Sequence, residues 1–210
     1  MLLFVVTLSI SLFPTMKSQI FDDFYFVQQW PPAVCAGRSG QCVGQGFRYF
    51  TIHGVWPQKG GQSIVNCPGT KFDVNQISSL TNTLHQTWPD VINGKDQTFW
   101  EHEWNKHGTC SESKYQMLPY FQMAINMKYK IDVLGAMRVG GVVPNNHKKA
   151  KQRVEVVIFN AYHAYPLLRC KKDSTGQYLL TEVVMCFKDD GVTLLNCTRS
   201  KSTCGADFLF

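Results

Sequence analysis

Twelve consecutive residues, from Phe99 to Cys110, carry an unusual number of side chains that can do chemistry. The segment reads FWEHEWNKHGTC and contains two histidines, two glutamates, one lysine and two tryptophans. A packed core does not accept this density of titratable groups unless they are functional or extensively paired. The segment therefore predicts a site for acid–base chemistry.

The same segment is predicted to be helical, because its glutamates and lysine are good helix formers and Gly108 is a stop signal. Side chains three and four positions apart share one face of a helix, so Glu103 is expected beside Lys106 and His107. The two tryptophans would form a neighbouring stripe that packs against the rest of the fold. The helix is thus expected to be anchored on one side and reactive on the other.

A zinc site is the alternative that this segment raises, because His-Glu-x-x-His binds zinc through histidines four positions apart. Here His102 and His107 are five positions apart, which places them roughly 140° apart around a helix. One ion cannot easily bind both side chains. We therefore expect neither a metal nor a cofactor.

A second segment, from Phe47 to Val55, is rich in aromatic and β-branched residues and is predicted to be a strand. The strand runs into HGVWP, so His53 is expected at its end, with a loop opening after Trp56. A histidine at this place is either a satisfied core group or a member of a site. The charged helix elsewhere in the chain favours the site.

Two histidines from separate elements suit the cleavage of RNA by its own 2′-hydroxyl group. One imidazole removes the 2′-hydroxyl proton and the other protonates the leaving 5′-oxygen, and both roles are available near the ordinary histidine pKa of about 6.5. Lys106 and His102 would support the negative charge on the phosphoryl oxygens, while Glu103 would hold an imidazole or the phosphate proton. Single-stranded RNA is the expected substrate.

The composition indicates one domain that follows a leader. The chain has 210 residues, of which 44% are hydrophobic, enough for one compact core. Residues 2–13 form an apolar run of signal-peptide length that is too short to span a bilayer. We expect residues 1–20 to be a signal peptide, cleaved between Ser18 and Phe21, residues 21–210 to form a single domain, and no other segment to cross a membrane.

The eight cysteines indicate an oxidising compartment, because an even number behind a signal peptide predicts disulfides, here four. A secreted location is therefore expected, with the vacuole as the alternative. The formal charge is +6 and becomes +5 if Lys17 is removed with the leader. This basic balance suits a polyanionic partner such as nucleic acid.

The rest of the chain predicts helices that lie between groups of strands. Helices are expected at residues 73–88, with Asp73 as the cap, and at residues 115–130 and 148–163. Strands are expected at residues 24–30, 167–169, 178–187 and 192–195. This segregation of helices and strands predicts an α+β domain.

The remaining polar groups are interpreted as structural. His85, His147 and His163 are expected in packing or on the surface, and the basic residues between 148 and 153 are expected on a solvated helix face. Asn196 begins the chain's one N-x-Ser/Thr sequon. Because the middle residue of that sequon is a cysteine expected in a disulfide, glycosylation there is expected to be poor.

Two segments carry a family resemblance: Phe50 to Pro57, which reads FTIHGVWP, and Phe99 to Cys110. They are similar to the two active-site segments of the ribonuclease T2 family, and the likeness extends from Phe26 to the cysteine-rich end. The plant branch, with its S-RNases and S-like RNases, is the most similar. The resemblance implies an α+β fold with a central antiparallel sheet, flanking helices and four disulfides.

The resemblance also implies metal-independent cleavage through a 2′,3′-cyclic phosphate. His107 would act as the general base and His53 as the general acid, while Glu103, Lys106 and His102 would stabilise the transition state. Trp56 would line the phosphate and ribose pocket. The disulfides implied by the family pattern are Cys35–Cys42, Cys67–Cys110, Cys170–Cys204 and Cys186–Cys197.

The base pocket implied by the plant branch is formed by Gln29, Asp90, Val91, Ile92 and Phe99. Phe99 suits stacking on a base, and Gln29 suits a hydrogen bond to a base edge. Asp90 stands where we expect asparagine in the S-like seed enzymes. The loss of an amide donor at this position leaves the base preference open.

Two biological roles fit this pattern. An S-like ribonuclease would serve RNA turnover, phosphate recovery or defence, whereas an S-RNase would be a self-incompatibility determinant that a pollen protein recognises. The intact His102 and the Cys-Gly-Ala-Asp-Phe ending at residues 204–208 favour the first role, while the basic charge and Asp90 favour the second. We expect an S-like, monomeric enzyme.

Overall fold

The computed structural model describes residues 21–38, 40 and 42–210. The predicted signal peptide, residues 1–20, lies outside the described residues. In the part described, the strands in chain order are β1 (Asp23–Gln29), β2 (Thr51–Lys59), β3 (Gln62–Ser63), β4 (Lys148–Ala150), β5 (Leu167–Lys172), β6 (Tyr178–Lys188), β7 (Leu194–Leu195) and β8 (Asp207–Leu209). The α-helices are α1 (Pro31–Cys35), α2 (Thr81–Thr87), α3 (Asp96–Lys106), α4 (Met117–Lys130), α5 (Val133–Val139) and α6 (Lys151–Tyr162). The α+β prediction is confirmed.

One sheet contains all of these strands. Its order is β3-β2-β1-β6-β8-β4, and β5 and β7 also pair with β6. Every pairing is antiparallel except a single parallel contact between Leu179 and Leu209. Strand β1 lies between β2 and β6, and all seven of its side chains are buried. Its aromatic and β-branched residues suit that central position.

The core lies between the sheet and the helices. Its largest fully buried side chains are aromatic and come from different elements: Trp88, Trp100, Trp104, Tyr120, Phe24, Phe26, Phe50, Phe121, Phe187 and Phe208. The two tryptophans of α3 are buried as predicted, and each aromatic side chain of this size removes about 150–250 Å² from water. Helix α3 is thereby anchored against the sheet.

Four disulfides pair all eight cysteines, in the same pairs that the resemblance implies: Cys35–Cys42, Cys67–Cys110, Cys170–Cys204 and Cys186–Cys197. Cys110 lies in a short 3-10 helix, Gly108–Ser111, that follows α3. The bond to Cys67 therefore ties the C-terminal end of α3 to a segment 43 residues earlier in the chain.

Several predicted boundaries were wrong, most clearly that of the strand expected at residues 47–55. Strand β2 begins at Thr51 and continues through Trp56 and Pro57 to Lys59, before turning at Gly60 and Gly61. Proline is tolerated there because β3 pairs with β2 only at Gln58 and Lys59, so its ladder requires no N–H from Pro57, whose carbonyl accepts a hydrogen bond from the Ile64 amide. His53 is therefore inside a strand and not at its end.

Two predicted helices also differ from the structure. Residues 73–88 form a 3-10 helix, Val74–Leu80, followed by α2, although Asp73 does cap it by accepting a hydrogen bond from the Asn75 amide. Residues 148–150 pair with β8 as a strand, so the basic residues expected on one helix face are divided between β4 and α6. Long-range strand pairing outweighs local helix propensity here.

The structure also contains elements that the sequence pattern did not reveal, namely α1, β3, α5 and β8. Each is short, and short elements depend on packing rather than propensity. Among the residues described, none of the helices combines the length and apolar character needed to cross a membrane.

Candidate active site

His53 occupies an irregularity in the sheet. Gly54 pairs with Val27 and Ile52 pairs with Gln28, so His53 is the extra residue of a β-bulge between β1 and β2. Bulges redirect a side chain and leave the extra residue outside the ladder. The freed carbonyl of His53 accepts a hydrogen bond from the Trp88 indole at 2.9 Å. The His53 carbonyl is thus satisfied, and the imidazole is 30% exposed at the surface of the sheet.

Trp56 stands between the two predicted catalytic histidines. Its ring lies 5.2 Å from that of His53, in an edge-on arrangement, and 4.9 Å from that of His107, in a stacked arrangement. Strand β2 carries His53 and Trp56, whereas His107 comes from the end of α3. The fold therefore brings the two histidines against one indole, although 54 positions separate them in the sequence.

His107 lies at the C-cap of α3 with φ −121° and ψ −47°. Its amide still donates to the Glu103 carbonyl at 2.9 Å, so the residue remains fixed to the helix. Helix α3 ends there without a left-handed glycine. Gly108 is required for a different reason, because a Cβ at that position would lie 2.4 Å from the Trp104 ring.

Glu103 is buried next to Trp56, with 2% of its surface exposed. Its Oε2 accepts a hydrogen bond from the Trp56 indole at 2.9 Å. This bond passes over Gly54, where a Cβ would lie 2.2 Å from Glu103 Oε2 and 2.3 Å from Trp56 Nε1. The glycine after His53 is therefore needed for the close approach of α3 to β2.

Replacing Gly54 by alanine is expected to displace Glu103 or Trp56 and to lower kcat at least about tenfold, since loss of active-site geometry by about 1 Å can cost up to a hundredfold. Initial rates on RNA and circular dichroism of the folded variant measure this effect. Gly46→Ala is the matched control, because no atom lies within 4 Å of its added Cβ. Equal activity of the two variants would contradict the proposed geometry.

The structure adds two residues that the sequence analysis missed. Glu182 of β6 places Oε1 2.5 Å from His53 Nδ1, and Arg169 of β5 places Nη1 3.3 Å from the other oxygen, Oε2. The Arg169 guanidinium also lies 5.0 Å from the Trp56 ring centroid. A charged residue within the apolar run of β6 was the signal that could have identified Glu182.

The two histidines have opposite pKa shifts. Burial, followed by the positive charges of Lys106, His53 and His102, lowers the pKa of His107 to about 3. Burial alone would lower the pKa of His53, but its hydrogen bond and charge interaction with Glu182 and the charge of Glu103 raise it above its ordinary value. At mildly acidic pH, His107 is therefore neutral and His53 is protonated.

Burial raises the pKa of Glu103 above its ordinary value, although His53 and the hydrogen bond from Trp56 oppose that shift. Lys106 is half-buried and His102 is exposed. Both lie close enough for their charges to act on Glu103 and His107. The five residues predicted for catalysis are thus brought together at the junction of β2 and α3.

A cavity of about 460 Å³ adjoins this cluster and is lined by His53, His102 and Glu182. It is also lined by all five residues that were predicted to bind a base: Gln29, Asp90, Val91, Ile92 and Phe99. The Phe99 ring lies 5.8 Å from that of His53. A base stacked on Phe99 would therefore lie beside the imidazole that is protonated.

Asp90 has a structural task that the sequence analysis did not foresee. Its Oδ1 accepts hydrogen bonds from the backbone amides of Ile92 and Asn93, and its Oδ2 accepts one from the backbone amide of Lys95. The carboxylate thus shapes the loop that forms one wall of the cavity. The Gly44 amide donates a hydrogen bond to the Val91 carbonyl at 2.8 Å and so connects the same loop to the segment that follows Cys42 in the sequence.

The other predicted sites lie apart from this cleft. Asn196 is exposed, and its side-chain oxygen accepts a hydrogen bond from the Tyr165 amide. Its neighbour Cys197 is in a disulfide. His85 Nδ1 lies 2.5 Å from Asp96 Oδ2. Across the described ranges, 21–38, 40 and 42–210, no group of three or more His, Cys, Asp and Glu side chains is placed to hold a metal ion.

Comparison with known proteins gives a consistent result. The family model described as the Ribonuclease T2 family matches residues 21–197. Ribonuclease MC of Momordica charantia is 48% identical over 193 residues, which cover 90% of this chain and 100% of that protein. Ribonuclease S-7 of Nicotiana alata is 31% identical over 195 residues, with 88% of this chain and 87% of that protein covered.

A solved structure of an RNase MC1 mutant in complex with 5′-GMP matches with a TM-score of 0.88 at 47% identity. The match covers 90% of this chain and 100% of that chain. The two folds therefore correspond over most of this chain and all of that one.

Proposed function

Since the chain belongs to the ribonuclease T2 family, in its plant S-like branch, and is an RNA-cleaving endoribonuclease, we propose that it acts by 2′-hydroxyl transesterification without a metal. The 2′-oxygen attacks the adjacent phosphorus, the bond from phosphorus to the 5′-oxygen breaks, and the product is a 2′,3′-cyclic phosphate. The observation that carries this proposal is the pair of oppositely shifted imidazoles on either side of Trp56.

In this mechanism His107 is the general base and His53 is the general acid. His107 is neutral at mildly acidic pH because its pKa is lowered to about 3, so it is ready to accept the 2′-hydroxyl proton. His53 is protonated because its pKa is raised, so it can donate a proton to the leaving 5′-oxygen. Acid and base of this kind each contribute about 10²–10⁴-fold to the rate.

Three further residues stabilise the negative charge that develops on the phosphoryl oxygens. Lys106 and His102 supply positive charge, and Glu103 supplies a carboxyl group whose raised pKa favours a proton that it can share with a phosphoryl oxygen. Trp56 holds Glu103 in place through its indole N–H. Charge stabilisation is therefore concentrated between the two histidines.

Substrate binding uses the cavity beside His53. The base stacks on Phe99, and Gln29 presents its amide to the base edge. Among the residues that the structure describes, the one hydrogen bond of that amide is long, 3.4 Å, to the Ile52 carbonyl. The walls formed by Val91 and Ile92 depend on the loop that Asp90 shapes. Single-stranded RNA fits this mode because its bases are free to leave the stack.

We assign the enzyme a secreted role, with the vacuole as the alternative, in RNA turnover, phosphate recovery or defence. The predicted leader and the four disulfides support passage through an oxidising compartment. The identity of 48% to Ribonuclease MC, against 31% to Ribonuclease S-7, supports the S-like role over pollen recognition. The proposed active form is a monomer.

The pH profile of kcat/KM is expected to be bell-shaped and unusually wide. Activity falls on the acid side only when the neutral form of His107 is lost, and that group has its pKa lowered to about 3. Activity falls on the basic side when His53 loses its proton, which requires a pH above its ordinary pKa of about 6.5 because its pKa is raised. Initial rates on a dinucleoside phosphate between pH 3 and 9 measure both limbs. An acid limb near pH 6.5 would show that the pKa of His107 is not lowered, and an acid limb that is unchanged in His107→Ala would contradict its assignment as the base.

The proposed function is tested by incubating the purified enzyme with a short single-stranded RNA in EDTA and identifying the first product. The expected product is a fragment with a 2′,3′-cyclic phosphate, formed at the same rate with and without EDTA. An otherwise identical substrate with a 2′-O-methyl group at the cleaved position should remain intact. Loss of activity in EDTA, or cleavage of the methylated substrate, would overturn the proposal.

A further inference from the structure

The proposed acid, His53, is held by a carboxylate that none of the family motifs in the sequence contains. Glu182 lies in the middle of β6, 129 positions after His53, and its Oε1 is 2.5 Å from His53 Nδ1. The glutamate side chain is 14% exposed. The second oxygen of the carboxylate is also engaged, so Glu182 is fixed in the position from which it holds the imidazole.

Arg169 engages that second oxygen from the neighbouring strand. The sheet places Gln29, Glu182 and Arg169 opposite one another on β1, β6 and β5, and Arg169 Nη1 lies 3.3 Å from Glu182 Oε2. The guanidinium also covers the Trp56 ring at 5.0 Å. Glu182 is thus fixed on one side by an arginine and on the other by the imidazole.

We infer that Glu182 is a positioning residue that orients the His53 imidazole, so that Nδ1 keeps its proton toward the carboxylate and Nε2 faces the leaving 5′-oxygen. This inference rests on the proposed function of His53. In the step itself, the Nε2 proton passes to the 5′-oxygen as the bond to phosphorus breaks. His53 becomes neutral and keeps its Nδ1 proton on Glu182. A carboxylate that fixes a histidine tautomer in this way has precedent in hydrolase triads.

The electrostatic surroundings of His53 support this arrangement. Glu182 faces it from β6, Glu103 from α3, Arg169 from β5 and His107 from the end of α3. The two carboxylates raise its pKa, whereas burial and Arg169 lower it. Burial would raise the pKa of Glu182, but its contact with His53 and then Arg169 lower it, so the carboxylate stays ionised. Removing the Glu182 charge should therefore lower the pKa of His53.

The test compares Glu182→Gln with wild type and with Glu155→Gln, a matched control on α6. Glu182→Gln is expected to lower kcat at least about tenfold and to leave KM within about twofold, because both carboxylate oxygens of Glu182 are engaged by His53 and Arg169 and neither is free to bind the substrate. The basic limb of the pH profile should move at least about one pH unit toward acid, which is the effect expected from losing an opposite charge nearby. Glu155→Gln should change neither quantity.

A merely structural role would lower activity without moving the basic limb, and that result would overturn the inference. A second measurement does not depend on the variant folding. Two-dimensional ¹H–¹⁵N NMR of the wild-type imidazoles should show neutral His53 with its proton on Nδ1, and a proton on Nε2 would overturn the inference. If His53→Ala itself retained full activity, the proposed function would fail first; full loss in His53→Ala with an unchanged Glu182→Gln would refute only the positioning role.

Discussion

Replacement of His107 by alanine is expected to lower kcat on RNA by about 10³-fold, the middle of the range for a general base. The pKa of this side chain is lowered to about 3, so it is neutral over the whole working range. The Glu103 carboxylate is buried, and its Oε2 already accepts a hydrogen bond from the Trp56 indole. His53 and Lys106 are cationic, and His102 is exposed to water. Initial rates on a dinucleoside phosphate measure the loss.

The control for this variant is His147→Ala, because His147 is exposed and lies outside the cleft. Its activity should equal that of wild type. KM of His107→Ala should change little, since the base cavity is lined by other residues. A variant that folds, as judged by circular dichroism, and keeps more than about a tenth of wild-type kcat would show that another group accepts the 2′-hydroxyl proton.

Replacement of His53 by alanine is expected to lower kcat by a similar factor of about 10³, for a different reason. Without the acid, the 5′-oxygen must leave as an alkoxide, which is a poor leaving group. The variant should fold, because Glu182 keeps its contact with Arg169 and the His53 carbonyl still accepts the Trp88 indole. Rates in the same assay measure the effect.

His53→Ala should also lose the basic limb of the pH profile, because that limb reports the proton on His53. The activity that remains should stay level between pH 7 and 9. A basic limb that is unchanged in this variant would mean that another group supplies the proton. Lys106 would then be the next residue to test, since its charge acts on both Glu103 and His107 and it therefore lies in the same site.

The cluster of proposed catalytic residues could be located from sequence because its signals are local. His102, Glu103, Lys106 and His107 lie within six positions, and helical spacing alone places three of them near one another. The tryptophan stripe of α3 was predictable for the same reason, since its burial follows from a period of about 3.6 residues. Local density and periodicity are properties of one segment and need no knowledge of the fold.

The shape of the site depends on contacts between distant segments, which explains what the sequence analysis missed. The bulge at His53 exists only in the pairing of β1 with β2. Glu182 and Arg169 reach the site through strand register, more than 110 positions after His53 and Trp56. The contacts of Glu182 and Arg169 cannot be predicted from one segment, although the charge of Glu182 within an apolar strand marks it as unusual. The role of Asp90 is local, but it depends on the loop conformation that directs three backbone amides of that loop at its carboxylate.

The assignment of acid and base is tested most directly by changing the leaving group. A dinucleotide whose bridging 5′-oxygen is replaced by sulfur releases a thiolate, which needs no proton to leave. We expect sulfur to restore His53→Ala to within about tenfold of wild type and to leave His107→Ala about 10³-fold slow, since only the acid becomes dispensable. Rescue of His107→Ala, or failure to rescue His53→Ala, would contradict the two-histidine mechanism as assigned.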